Sequence, residues 1–331
     1  GNAADAKTVT FVVDLVVPVA SITSGPGSVT APNRTNSTSV TFAFSATDTG
    51  GVSNAGSGAT VFQCSMDDAN VSNFTSCTSP KTVTETEGTH VFRVRAQDGA
   101  GNWSNPVSYT FTIDVTRPTN PTITDPTAAS RTANRTPMVS GTAGYADFDQ
   151  SVVIDVFAGS SVSGDPVQST TATVNGSGNY SKALATLVDG TYTIRVSQSD
   201  DVGNAALTPA TRTFTVDATV PLLGISTPAN GAKLNTSTPK ISGIAGFAFA
   251  DDPQVNIKVY SGATATGEPV VDTNVDRNAF DVVAPNVPGY YELSPTLADG
   301  TYTVVVSQSD DQSNGTTTTA RTFYVDTAAP N

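Results

Sequence analysis

One histidine, two cysteines and one tryptophan are all that 331 residues contain. A lone histidine, His90, excludes a His-dependent relay, and together with Cys64 and Cys77 it offers too few ligands for zinc. Basic residues are also scarce: 16 Lys and Arg against 29 Asp and Glu leave a formal net charge of -13, which repels nucleic acid and anionic membranes. No apolar run is long enough to cross a bilayer, and the first residues have neither the basic start nor the apolar centre of a signal peptide. No window keeps apolar residues at three- and four-residue spacing, so helix is nearly excluded. The chain also lacks a Gly-x-Ser-x-Gly elbow, an HExxH pair and a phosphate-cradling Gly loop. The adjacent carboxylates at Asp67-Asp68, Asp200-Asp201, Asp251-Asp252 and Asp310-Asp311 do not make an acid and base pair, because neighbours on a strand point to opposite faces. These absences predict a protein that is not an enzyme.

What the chain does have is one phrase written four times. Thr10-Phe11-Val12-Val13-Asp14, Thr110-Phe111-Thr112-Ile113-Asp114, Thr213-Phe214-Thr215-Val216-Asp217 and Thr322-Phe323-Tyr324-Val325-Asp326 are each followed four residues after the Asp by Pro18, Pro118, Pro221 or Pro330. Apolar and polar residues alternate with period two, and the proline, having no amide hydrogen, ends the ladder. The closing Asp recurs at spacings of 100, 103 and 109 residues, the size of a small domain rather than of a solenoid unit. The expected organisation is a terminal strand in 1–18, then domains at 19–118, 119–221 and 222–331. The first copy has no domain of its own here, which suggests a segment of something longer whose export signal lies elsewhere. That strand, Thr8 to Val13, is either a remnant packed on domain one or a donor completing a sheet in a neighbouring molecule.

Domain one holds both cysteines, with twelve residues between them including the turn-rich Asp67-Asp68-Ala69-Asn70. They can face each other across a hairpin, as a disulfide in an oxidising compartment or as two buried thiols. Domains two and three are close relatives: Leu187–Asn204 and Leu297–Asn314 agree at 13 of 18 positions. Domain one carries Gly88-Thr89-His90 where they carry Gly-Thr-Tyr, so His90 takes the place of Tyr192 and Tyr302 and is expected to be structural. Ser313 stands where Gly101 and Gly203 stand, which predicts a different turn in the third domain.

The phrase Leu297-Ala298-Asp299-Gly300-Thr301-Tyr302-Thr303, the Ser-Gln-Ser-Asp-Asp loops and the closing Val-Asp-x-x-x-Pro resemble bacterial immunoglobulin-like repeats of large surface and adhesin-type proteins. Phe62-Gln63-Cys64-Ser65-Met66-Asp67, Cys77-Thr78-Ser79-Pro80 and Val94 to Asn102 resemble a second variety of the same repeat. Together the resemblance covers residues 8–330. It implies an all-β row of tandem immunoglobulin-like antiparallel sandwiches, about seven strands each, in an elongated arrangement. It further implies an extracellular, secreted or cell-surface location and service as a stalk, spacer or binding tip.

Three functions follow as expectations. The first is a non-catalytic stalk or filament segment whose partners are neighbouring repeats or like subunits. The second is an adhesive or carbohydrate-binding module touching a glycan or host surface, with Trp103, Tyr290 and Tyr291 as the candidate aromatics. The third is an accessory piece of a secreted enzyme. Neither nucleic acid nor membrane insertion is expected. The strand directions of such a sandwich also bring each closing Asp against the acidic loops of the next domain. Asp14 would meet Asp48 and Asp98; Asp114 would meet Asp147, Asp149, Asp200 and Asp201; Asp217 would meet Asp251, Asp252, Asp310 and Asp311. Converging carboxylates with no His or Cys suit Ca²⁺, so an inter-domain calcium site is expected, weakest at domain one because Gly99 replaces the second Asp. The alternative is that these are solvated turn residues.

Overall fold

Strands in this chain follow from period-two patterning. In Gly88–Asp98 every second residue from His90 onward is buried, while its neighbours are not. The computed structural model describes residues 7, 13–27, 31–49, 58–146, 149–248, 250–278 and 289–328. All regular structure among them is strand, except for the short 3-10 turn Val71–Asn73. No described helix is long and apolar enough to cross a membrane.

Domain one comprises β1 (Val19–Ser24), β2 (Arg34–Thr35), β3 (Ser39–Thr47), β4 (Ala59–Met66), β5 (Thr75–Cys77), β6 (Lys81–Thr84), β7 (Gly88–Asp98) and β8 (Val107–Ile113). Sheet β1-β3-β6 faces sheet β2-β8-β7-β4-β5 across a core in which Phe42 stacks on Phe92 at 4.2 Å. Domain two comprises β9 (Arg131–Thr132), β10 (Met138–Thr142), β11 (Ser151–Ala158), β12 (Gln168–Thr173), β13 (Asn179–Ala183), β14 (Gly190–Gln198) and β15 (Ala210–Val216). Its sheets are β10-β13 and β12-β11-β14-β15-β9. The backbone of Thr122 and Thr124 donates to Thr142 and Ser140 on β10, widening the smaller sheet as β1 does in domain one. Domain three comprises β16 (Gly224–Thr227), β17 (Ala232–Leu234), β18 (Ile241–Ala245), β19 (Gln254–Ser261), β20 (Val271–Asp276), β21 (Gly289–Leu293), β22 (Gly300–Ser309), β23 (Gly315–Thr317) and β24 (Arg321–Val325). Sheet β16-β18-β21 faces sheet β17-β24-β22-β19-β20, with β23 added on β22. Each domain is therefore an antiparallel sandwich with its own apolar core.

Two details of this topology set up the joints. The closing strands β8, β15 and β24 pair with β7, β14 and β22, so each sandwich supplies its own last strand. Each closing strand is also flanked in parallel by a short strand: Arg34 lies beside Thr112, Arg131 beside Thr215 and Lys233 beside Tyr324. A cation therefore stands beside the residue two places before Asp114, Asp217 and Asp326. The earlier copy of the phrase, Thr8 to Phe11 and Val12, lies outside the described residues; Val13 to Pro18 then lead into β1.

The corner before β7, β14 and β22 is the same in all three domains. Tyr192 and Tyr302 each donate a hydroxyl hydrogen to the carbonyl four residues back, Val188 and Ala298, both at 2.9 Å. His90 keeps that bond, with Nε2 at 2.9 Å from the Thr86 carbonyl. Cys64 on β4 and Cys77 on β5 form a disulfide, with S–S 2.03 Å and Cα atoms 5.9 Å apart. Closing so short a loop stabilises the fold by about 3 kcal/mol in the chain-entropy treatment.

Candidate functional site at the domain joints

Each sandwich presents, at the pole facing the preceding repeat, a five-residue turn of the form Asp-x-x-x-Asn: Asp98–Asn102, Asp200–Asn204 and Asp310–Asn314. The Asp folds the turn around itself. Asp98 Oδ1 accepts the amides of Ala100 (2.9 Å) and Asn102 (2.8 Å), and Asp200 and Asp310 do the same with Val202 and Asn204, and with Gln312 and Asn314. The Asp amide closes the ring by donating to the Asn carbonyl at 3.1 Å in all three. The fourth residue takes positive φ: Gly101 at 98°, Gly203 at 92° and Ser313 at 63°. The serine thus adopts the same turn as the glycines, contrary to the expectation from sequence, because the hydrogen bonds to the Asp impose it.

The Asn side chain makes this turn a connector. Its amide carries two hydrogens and uses both. One goes to its own Asp: Asn102 to Asp98 Oδ2 (2.8 Å), Asn204 to Asp200 Oδ2 (2.6 Å) and Asn314 to Asp310 Oδ2 (2.7 Å). The other crosses the joint to the carbonyl of the closing Asp of the preceding repeat: Asn102 to Asp14 at 3.0 Å, Asn204 to Asp114 at 2.9 Å, Asn314 to Asp217 at 2.9 Å. The two joints between the described domains, and the segment that leads into domain one, carry one and the same latch.

The second and third joints add a guanidinium. Arg34 Nη2 donates to Asp114 Oδ2 (2.9 Å) and its Nη1 to Asp201 Oδ2 (3.0 Å), so one cation binds the closing Asp of its own domain and the second Asp of the next domain's turn. Arg131 Nη2 likewise donates to Asp217 Oδ2 (2.6 Å), while its Nε lies 3.4 Å from Asp311 Oδ2 as an ion pair without a hydrogen bond. At the first joint Gly99 occupies the place of Asp201 and Asp311, so the turn offers no second carboxylate for such a bridge. The linker prolines complete the packing: Pro18, Pro118 and Pro221 are buried. A Cβ at Gly144 would lie 3.0 Å from Pro118 Cβ, and one at Gly246 would lie 2.7 Å from Pro221 Cβ, so glycine is what lets the linker lie this close.

Carboxylates converge here at very different closeness. Asp14, Asp48 and Asp98 each offer an oxygen within 4.8 Å of the others. Burial works against ionisation of Asp98, but the hydrogen bonds from the Asn102 side chain and the amides of Asn102, Gly101 and Ala100 outweigh it and hold the carboxyl below its ordinary range. At the second joint Asp149 is buried, and that burial pushes it up; the Ala146 amide opposes this, while the charges of Asp200, Asp114 and Asp201 add to it. Asp251 at the third joint is likewise raised by burial, with the Ala248 amide and Arg277 opposing and Asp310 and Asp217 adding. Asp114 is raised by burial too, with Thr116 and Arg34 opposing and Asp200 and Glu87 adding. Asp252 is turned to other work: its Oδ1 accepts the Gln254 amide and its carbonyl accepts Gln308 Nε2. Asp147 lies outside the described residues. The closest described set is therefore at the first joint, where sequence placed the weakest.

The candidate binding aromatics do not form a platform. Tyr291 is 0 % exposed and donates its hydroxyl to the Gly224 carbonyl at 3.0 Å; it is core, as Tyr180 is in domain two through its bond to Thr122. Burial pushes both phenols up, Tyr180 to about 12. Tyr290 is half-buried on β21, paired with Asn278. Trp103 is half-buried under the Arg95 guanidinium, 4.3 Å from the ring centroid. The acidic turns were legible in sequence, but the latching role of Asn102, Asn204 and Asn314 and the bridging role of Arg34 and Arg131 were not. Their signal was present: an Asn at a fixed place four residues after each loop Asp, and a basic residue about 80 residues before each closing Asp or a little more.

No family model matches the chain, and no curated protein matches it. Among solved structures, it is similar to fibronectin(III)-like modules of CbhA from Clostridium thermocellum (18% identity, 62% of this chain and 93% of that one, TM-score 0.30). It is also similar to the FN1–FN3 domains of chicken CNTN1 (12% identity, 94% and 99%, TM-score 0.30) and to the D00-D0 domain of intimin (17% identity, 60% and 99%, TM-score 0.28). The likeness is one of fold, and the assignment to tandem sandwiches rests on the sheets described above.

Proposed function

We propose that this chain is a non-catalytic stalk or spacer segment of an extracellular bacterial surface protein, whose work is to hold successive sandwiches in a fixed relation. The observation that carries it is the latch: the same Asn-to-carbonyl bond at both joints between described domains, each reinforced by an arginine shared between them, and again where residues 13–18 enter domain one. A chain whose domains served independently would have no reason to repeat one inter-domain contact. The disulfide suits an oxidising compartment. Small-angle scattering of the whole chain tests the reading: a rod about three domains long is expected, and a compact particle or a flexible string contradicts it.

Calcium belongs to this proposal at one joint. Asp14, Asp48 and Asp98 provide converging hard oxygen donors of the kind Ca²⁺ takes. At the next two joints a guanidinium already stands between the closing Asp and the second loop Asp, which leaves no call for a metal charge there. Calorimetry in chelator and in millimolar Ca²⁺ is expected to raise one transition, that of domain one, and Asp48→Asn is expected to abolish the rise. An unchanged domain-one transition in the unaltered chain removes calcium from the account.

A further inference from the structure

The pole of domain three that carries β24 is constructed like the two poles that are engaged inside the chain. Asp326 receives its place from a backbone bond to Leu234 at 2.9 Å, as Asp114 does from Thr35 and Asp217 from Thr132. Asp326 Oδ1 accepts the amide two residues on, Ala328, as Asp114 accepts Thr116. The threonine two residues after the closing Asp is clasped at the first two exits, Thr116 by Glu87 and Thr219 by Asp189; at the third Ala328 holds that place, and Asp299 Oδ1 takes the amide (2.9 Å) and hydroxyl (2.8 Å) of Thr327 one residue earlier. Lys233 stands where Arg34 and Arg131 stand. The exit of domain three is thus set in the geometry that, twice earlier, meets a following domain. Among the described residues, Lys233, Asp326 and Tyr324 are exposed at this pole, around an open depression of about 960 Å³ that Gly300 and Thr301 also line.

We infer that this pole is a docking surface for a further sandwich of the domain-two and domain-three kind, one that offers an Asp-acid-x-x-Asn turn. The required chemistry can be read from the engaged joints. The partner's Asn side chain donates to the Asp326 carbonyl, and its second acidic residue meets the Lys233 ammonium. Lysine supplies a point charge where arginine supplied a two-pronged bridge, so this joint reads the acid with less directional constraint. A second copy of this chain is a poor occupant, for two reasons. Its turns in domains two and three are already engaged, and its remaining turn has Gly99 in place of the acid and an Asn102 already committed to Asp14. The inference rests on the stalk reading and specifies what the stalk accepts next.

The test is to extend the whole chain after Pro330 with a second copy of residues 119–221, and to place spin labels at Val270→Cys in domain three and Val162→Cys in the appended copy, both on exposed positions. A narrow distance distribution is expected, widening at least twofold when Lys233→Glu or the appended copy's Asn204→Ala is introduced. Lys233 is exposed, so its reversal does not threaten the domain's fold, and a thermal scan of each variant verifies this. A wide distribution in the unaltered extension, or one indifferent to both substitutions, overturns the inference. So does dimerisation of the unextended chain that Lys233→Glu abolishes, since the occupant would then be a second copy. If the appended domain swings while the resident three stay fixed, this inference alone fails; if the resident three also swing, the stalk reading has failed.

Discussion

At Ser313 a residue with a side chain holds a conformation that glycine holds in the two sister turns. The Asp310 carboxylate fixes it by accepting the amides on either side, so the strain is overruled by hydrogen bonds rather than absent. Ser313→Gly is therefore expected to raise the stability of domain three, by up to about 1 kcal/mol, since left-handed backbone is disfavoured for a residue bearing a Cβ. Differential scanning calorimetry checks this, and a lowered transition counts against it. His90 shows residue-scale reasoning of another kind. Both ring nitrogens face acceptors, Asp67 Oδ2 at 2.8 Å and the Thr86 carbonyl at 2.9 Å, an arrangement that favours the protonated ring. The hydrogen bond to Asp67 raises its pKa first of all; burial opposes, and Thr86 and the charges of Asp67 and Glu85 assist. Burial also opposes ionisation of Asp67, but the bonds from His90 and the Val91 amide, with the charges of His90 and Arg93, leave it lowered. The signs follow by linkage. The raised histidine contributes stability that is complete below its ordinary pKa and is lost as pH rises through the folded value. The lowered Asp67 contributes stability that is present above the ordinary carboxylate range and is lost as pH falls through its folded value. Domain one is thus expected to weaken as pH rises above the ordinary histidine range, while domains two and three, with tyrosine in the same corner, do not. Thermal scans of wild type and His90→Tyr across that range check it, and an equal slope in both refutes it.

Among the elements, the closing strand and the turn that meets it decide how domains relate. A β-strand ending at Asp-x-x-x-Pro was readable from period two and from proline's missing donor, and so were the corner aromatics. What was not readable is which oxygen meets which donor. Sequence showed the carboxylates of Asp114, Asp200 and Asp201 gathering and invited a metal; the structure places Arg34, from a two-residue strand too short to signal itself, between two of them. It also places Tyr291 in the core, because β21 alternates its faces and puts the second tyrosine of the pair inward. Gly246 illustrates the packing constraint. A side chain there would meet Pro221 and the Asp251 carboxylate, whose nearest oxygen would lie 2.4 Å from the new Cβ. Gly246→Ala is accordingly expected to loosen the third joint and destabilise domain three by about 1–3 kcal/mol, the usual penalty of overpacking. Hydrogen exchange at Ala248 and Asn314 should speed up, whereas unchanged protection would mean that the linker is not packed as described.

At the scale of the whole molecule, latches in series place the stiffness of the proposed stalk in neutral hydrogen bonds and shared arginines. Salt is expected to soften the arginine bridges only partly, since Arg34 is mostly buried, its side chain 11% exposed. The Asn latches, being uncharged on the carbonyl side, should be insensitive to it. Joint rigidity in the proposed stalk is therefore expected to depend chiefly on Asn204 and Asn314. The most direct test labels domain one at Val71→Cys and domain three at Val270→Cys in the otherwise intact chain and measures the inter-label distance distribution in chelator. A single narrow distribution is predicted, broadening markedly when Asn204→Ala and Asn314→Ala are combined; a distribution already broad in the intact chain, or one that the double substitution leaves unchanged, contradicts it.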